Sequence, residues 1–172
     1  MDLFMVAFRV LHIGSAIVWA GGAALFFAYI EPTINSMGPD GEKIIGELVG
    51  KRRLPIYFLV ASTLAVLAGA ILYWRDSGGL QVSWITTATG LALTIGGLSA
   101  LAAWVGSNLL IPKAIGVVGG IGGEMKAAGG PPSPELMGRM QEAQGRLRRI
   151  GLIDLILIGI AALAMASARF LG

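Results

Sequence analysis

Four stretches of this chain are too long and too apolar for an ordinary water-soluble fold: Leu3 to Ile30, Leu54 to Trp74, Trp84 to Ile111 and Ile150 to Ala168. Runs of about 18 or more apolar residues read as membrane helices, and at about 1.5 Å rise per residue each reaches across a hydrocarbon core of roughly 30 Å. The predicted fold is therefore all-α, an integral membrane antiparallel four-helix bundle that takes in residues 1–172 as one domain. Composition agrees, with 55% hydrophobic and only 13% charged residues. The first run begins with Asp2, exceeds a signal peptide's apolar core in length, and contains Arg9 and His12, so it reads as a retained helix rather than a cleaved leader.

Charge sets the orientation. Lys43, Lys51, Arg52 and Arg53 lie in the first connection, and Lys113, Lys126, Arg139, Arg146, Arg148 and Arg149 in the third, ten of the thirteen basic residues. Arg9, Arg75 and Arg169 are left for the other side. The positive-inside rule puts the first and third connections in the cytoplasm and both termini outside, in a cell membrane of prokaryotic plasma-membrane type. These basic residues flank membrane helices, so their partners are lipid headgroups and not nucleic acid. Tyr73, Trp74, Trp84 and Phe170 supply an outer aromatic belt. The second connection, Arg75 to Ser83, contains Gly78-Gly79 and predicts a tight turn.

The cytoplasmic connections carry helical extensions. Asp40 is placed to cap a helix beginning near Gly41, with Ile44, Ile45, Leu48 and Val49 as its apolar stripe. Pro55 marks the entry to the second span. Ser133, Pro134 and Glu135 start a helix on which Leu136, Met140, Ala143, Leu147 and Ile150 recur at helical spacing. The fourth span is thus expected to continue below the membrane, with the two cytoplasmic extensions packed together. Between Lys113 and Pro132, GVVGGIGG matches no nucleotide-binding pattern and reads as a flexible linker after Pro112.

Two ionisable residues lie at membrane depth, where such groups are costly and mark candidate sites. His12 is the only histidine and lies about 13 Å from the outer end of its helix. Arg9 precedes it by three residues and Trp19 follows by seven, which puts all three on one helical face. One reading is a packed histidine bonded to a carbonyl or to a hydroxyl such as Ser62, Thr63 or Thr94. The others are an axial imidazole for haem b or a copper ligand. For haem, Arg9, Arg75 and Arg169 are candidate propionate partners, although Asp2, Asp76 and lipid phosphate suit them equally. A second axial ligand would come from a homodimer or from Met5. Copper has one histidine, scattered methionines and no cysteine to draw on. Trp19 precedes Gly21-Gly22, which either frame a flat ligand or admit a bulky neighbouring ring.

Asp154 is the second residue of this kind. Asn108, at similar depth on the third span, is its expected partner in a structural helix–helix contact, with Arg148 or Arg149 as alternative partners; the other reading is a proton relay. Glu31, before Pro32, reads as interfacial. No nucleophile–base pair, H-E-x-x-H, G-x-S-x-G or paired intramembrane carboxylates appear, so no catalytic residue is assigned and the chain does not read as a hydrolase.

The segment from Phe8 to Gly22, FRVLHIGSAIVWAGG, with Pro32 at the helix end, resembles the first helix of the CopD-like membrane superfamily. That group takes in copper-resistance CopD domains, small integral membrane proteins of the DUF2269 type and HemJ-type protoporphyrinogen oxidases. The shared elements are the spacing of His12 and Trp19, the paired glycines and the proline. The second span, RRLPIYFLVASTLAVLAGAIL, resembles the basic entry and later small-residue or glycine feature of those proteins, and Arg148-Arg149 is a weaker match. The resemblance implies four-helix topology throughout. The further histidines of HemJ-type proteins and the larger copper-binding portions of CopD proteins have no counterpart here.

Three functions follow. The first is a non-catalytic accessory or structural membrane subunit acting through helix packing on membrane-complex partners. The second is a haem-b-binding redox or haem-handling protein with His12 as ligand. The third is a copper-handling membrane protein.

Overall fold

The structure, a computed structural model, describes residues 2–171 and is built of helices, with no strand among the described residues. Helix α1, Leu3–Ser36, starts where the Asp2 carboxylate accepts the backbone N–H of Phe4 at 3.1 Å and of Met5 at 3.3 Å. A carboxylate there satisfies orphan donors and complements the helix dipole. The helix passes its expected end at Ile30. A π-helical turn over Phe26–Ile30 precedes Pro32, and the wider turn absorbs the missing proline N–H without breaking the rod. The same device recurs at Gly106–Leu110, just before Pro112.

Helix α2, Pro39–Gly46, follows Gly38 at φ 56° and runs into a π turn over Glu47–Lys51. It begins before the expected Gly41, because Pro39 suits the first helical turn. Asp40 therefore lies inside the helix and pairs with Lys43 at 2.8 Å instead of capping. Arg53, at φ 53°, breaks the chain before helix α3, Leu54–Asp76, which carries Pro55 in its first turn. Gly78, Gly79 and Leu80 all take positive φ, and buried Ser77 accepts the Leu80 N–H at 2.9 Å, which builds the tight turn. After the short helix α4, Val82–Ile85, Thr87 caps α5, Ala88–Ala127, by accepting the Gly90 N–H at 3.0 Å. Trp84 thus belongs to α4, ahead of the third long helix, and meets Tyr73 edge-on at 5.6 Å. Helix α6, Pro134–Ala168, starts at Ser133, which accepts the Leu136 N–H at 3.2 Å.

The glycine-rich stretch is not a linker. It is the last part of α5, packed against α6. Ile121 is 5% exposed there, and Arg139 of α6 grips Glu124 with two bonds of 2.8 and 3.2 Å. That carboxylate's hydrogen bonds and charge hold the Arg139 pKa above its ordinary value. Glycine disfavours a helix by about 1 kcal/mol per residue relative to alanine, and packing of the apolar side chains outweighs that here. The extension that meets the continuation of α6 is therefore this one; the contacts of α2 are with the end of α1 and its own π turn.

Helix α1 packs chiefly on α3, and α5 on α6; α3 against α5 joins the pairs, and α1 touches α6. Along α1 and α3 the contacts run in opposite sequence order: Asp2 meets Arg75, His12 meets Ala65, and Val18 meets Tyr57. The core is Trp19 with Ala23, Ala61, Ala65, Ala103 and Ile158. Alanines at these contacts let backbones approach closely. Large apolar side chains face outward instead, among them Ile17, Leu98 and Leu163 at 67%, 63% and 74% exposure. A water-soluble monomer does not expose apolar surface on this scale. Four helices, α1, α3, α5 and α6, are long and apolar enough to cross a membrane.

Candidate functional site

His12 lies against α3 with Nδ1 2.8 Å from the carbonyl oxygen of Ala65. A carbonyl only accepts, so Nδ1 is the donor. The ring rests in a notch made by Gly69: a Cβ there would stand 2.8 Å from His12 Cε1 and 2.9 Å from Nδ1. Glycine is needed at this point because the ring occupies the space of a side chain. The hydroxyls considered as partners serve elsewhere. Ser62 accepts from Asn108, Thr63 from Trp104, and Thr94 pairs with Tyr73 at 2.6 Å.

Trp19, 4% exposed, is in the core, and the notch at Gly22 receives Phe58, whose Cε1 would be 3.2 Å from an added Cβ. The paired glycines thus include one that admits a neighbour's ring. Arg9 does not join a pocket with His12 and Trp19. Its side chain is 60% exposed and its guanidinium reaches Asp76 at 3.7 Å, because a long side chain near the helix end turns to the polar rim. Arg75 is bonded to Asp2 at 2.6 Å and Arg169 stacks over Phe170 at 4.5 Å. Haem b is a poor fit to one chain of this build. The Nδ1–carbonyl bond suits an axial ligand, but there is one imidazole, and two of the arginines proposed for propionates already hold carboxylates. Copper is no better served: among the described residues no three His, Cys, Asp or Glu side chains converge.

The second polar locus is a seam across α3, α5 and α6. Asp154, 4% exposed, accepts a hydrogen bond through Oδ2 from the Ser107 hydroxyl. Its carboxyl presses against Gly106, where any Cβ would overlap Oδ1. Asn108 is not its partner. The Asn108 amide donates to Ser62 Oγ at 3.1 Å and to the Trp104 carbonyl at 2.9 Å, while Trp104 Nε1 donates to Thr63 at 3.0 Å. Ser107 and Asn108 are neighbours on the π turn, yet Ser107 faces α6 and Asn108 faces α3. Neither Arg148 nor Arg149 forms an ion pair with Asp154 among the described residues.

Sequence reasoning marks Ala65 and Gly69 only as small residues suited to close helix packing, not as the seat of His12, and it missed Gly106 and Ser107. A backbone acceptor leaves no mark in a sequence, and small residues are common in membrane helices. Comparison with protein-family models, with curated proteins and with solved structures finds no match to this chain.

Proposed function

We propose that the chain is a multi-pass membrane protein of CopD-like type that serves as a non-catalytic accessory or structural membrane subunit. Its four spans are antiparallel and both termini lie outside. The observation that carries this reading is where the interior polar groups are used. His12 bonds the α3 backbone, Asn108 and Trp104 bond α3 hydroxyls, Tyr73 bonds Thr94 of α5, and Thr89 of α5 donates to the Ala168 carbonyl of α6 at 3.2 Å. Such bonds join helices and leave little polar surface for a substrate. Protein purified in mild detergent is expected to show no Soret band, oxidised or reduced, and copper well below one atom per chain. A Soret band that His12→Ala abolishes overturns the proposal in favour of haem handling; stoichiometric copper overturns it in favour of copper handling.

The opposite order of contacts along α1 and α3 supports the antiparallel arrangement, and the distribution of basic residues supports the orientation. The chain has no cysteine, so a single introduced thiol reports its own position. Arg75→Cys is expected to react with an impermeant maleimide on intact cells, and Arg52→Cys and Arg148→Cys only after permeabilisation. The reverse pattern refutes the orientation.

A further inference from the structure

One buried side-chain polar atom among the described residues has no hydrogen-bond partner: Asp154 Oδ1. It belongs to a carboxyl that is 4% exposed and lies four residues inside the start of the apolar run at Ile150, about 6 Å along the helix axis. Ser107 satisfies Oδ2 and nothing satisfies Oδ1. The elements packed around it bring no countercharge. Helix α5 presents Gly106 and Ser107, with Asn108 turned toward Ser62 of α3 behind them, all uncharged. Helix α1 brings Phe27 against Gly151, with Glu31 a turn farther along. On α6 itself the nearest cations, Arg148 and Arg149, are exposed.

We propose that Asp154 is a reversible binding site for a single proton, with Oδ1 as the acceptor. An ionised carboxyl buried without a countercharge is costly, and taking up one proton on its unpaired oxygen removes that charge. Size selects the ligand. The Gly106 backbone stands so close to Oδ1 that not even a methyl group fits between them, which shuts out a metal ion on that side and admits a hydrogen. The step balances simply: a hydronium ion from the near water surface transfers its proton to Oδ1, an O–H bond forms, and neutral water leaves; release reverses it. The π turn at Gly106–Leu110 brings the glycine and the Ser107 hydroxyl to the same carboxyl, a use in keeping with π turns at functional sites. The inference rests on the placement of α6 in a membrane and not on the accessory role.

The test uses the whole chain in detergent micelles with carbon-13 at the aspartate side-chain carboxyls. There are four aspartates, and Asp2, Asp40 and Asp76 are exposed. Asp2→Asn, Asp40→Asn and Asp76→Asn at the surface assign three resonances, and the fourth is Asp154. The expected result is a fourth resonance that moves reversibly with pH while the protein stays folded, and whose midpoint shifts in Ser107→Ala, which removes the donor to Oδ2. A fourth resonance that stays fixed across the whole folded range, or a midpoint indifferent to Ser107→Ala, overturns the proposal. Neither outcome bears on the Soret and copper measurements, so the two proposals fail separately.

Discussion

Gly151→Ala is expected to destabilise the protein by about 1–3 kcal/mol, the usual cost of overpacking a fitted contact. Gly151 of α6 is buried, and a Cβ there would fall within the ring of Phe27, at the π turn of α1. An aromatic ring cannot bend away as a flexible side-chain tip does, so the helices must separate or the ring must leave its rotamer. Unfolding in graded SDS measures the effect. The diagnostic is a double-mutant cycle: in a Phe27→Ala background, where the notch is vacant, Gly151→Ala should cost little. Additive costs would show that Phe27 does not occupy that notch.

The second large effect concerns His12 and Gly69. Gly69→Ala should cost about 1–3 kcal/mol, because the new methyl meets His12 at 2.8 Å. His12→Ala removes the bond to Ala65 and most of a ring, at a cost of about 2 kcal/mol or more. In the double variant the methyl moves into space the ring has left, so its stability should be close to that of His12→Ala alone. The apparent melting temperature in detergent checks this. A double variant that loses the sum of both effects removes the notch from the account of how α1 meets α3.

Both pairs show what a sequence reveals of such a fold. The four long apolar helices were legible because hydrocarbon demands long apolar runs, and the helix start at Ser133 obeys local chemistry, whereas the Thr87 cap, inside the expected third run, was not seen. Position along a helix was legible too, since rise per residue is fixed, and it sets His12 and Asp154 within two of the long apolar helices. Direction around the helix was not. Asn108 and Ser107 lie at nearly the same depth, yet only Ser107 faces Asp154, and a π turn beginning at Gly106 alters the very angle on which such reasoning depends. Arg9 shares a face with His12 by spacing, but the reach of its side chain takes the charge to Asp76. The glycine-rich end of α5 was read from propensity, which tertiary packing against Ile121 and Arg139 outweighs.

Helices α5 and α6 lie side by side but differ mechanically. Helix α6 is 35 residues of uninterrupted α-helix, about 52 Å long, so its N-terminal arm and its apolar part form one stiff lever. Helix α5 carries a π turn and Pro112 partway along, a natural place for bending. The Arg139–Glu124 clamp ties the two arms together below that point. A sideways push on the two clamped arms would therefore travel along α6 and be taken up in α5 as flexure near Gly106. The strain would concentrate at the Gly106, Ser107 and Asp154 contact, the joint between a rigid beam and a compliant one.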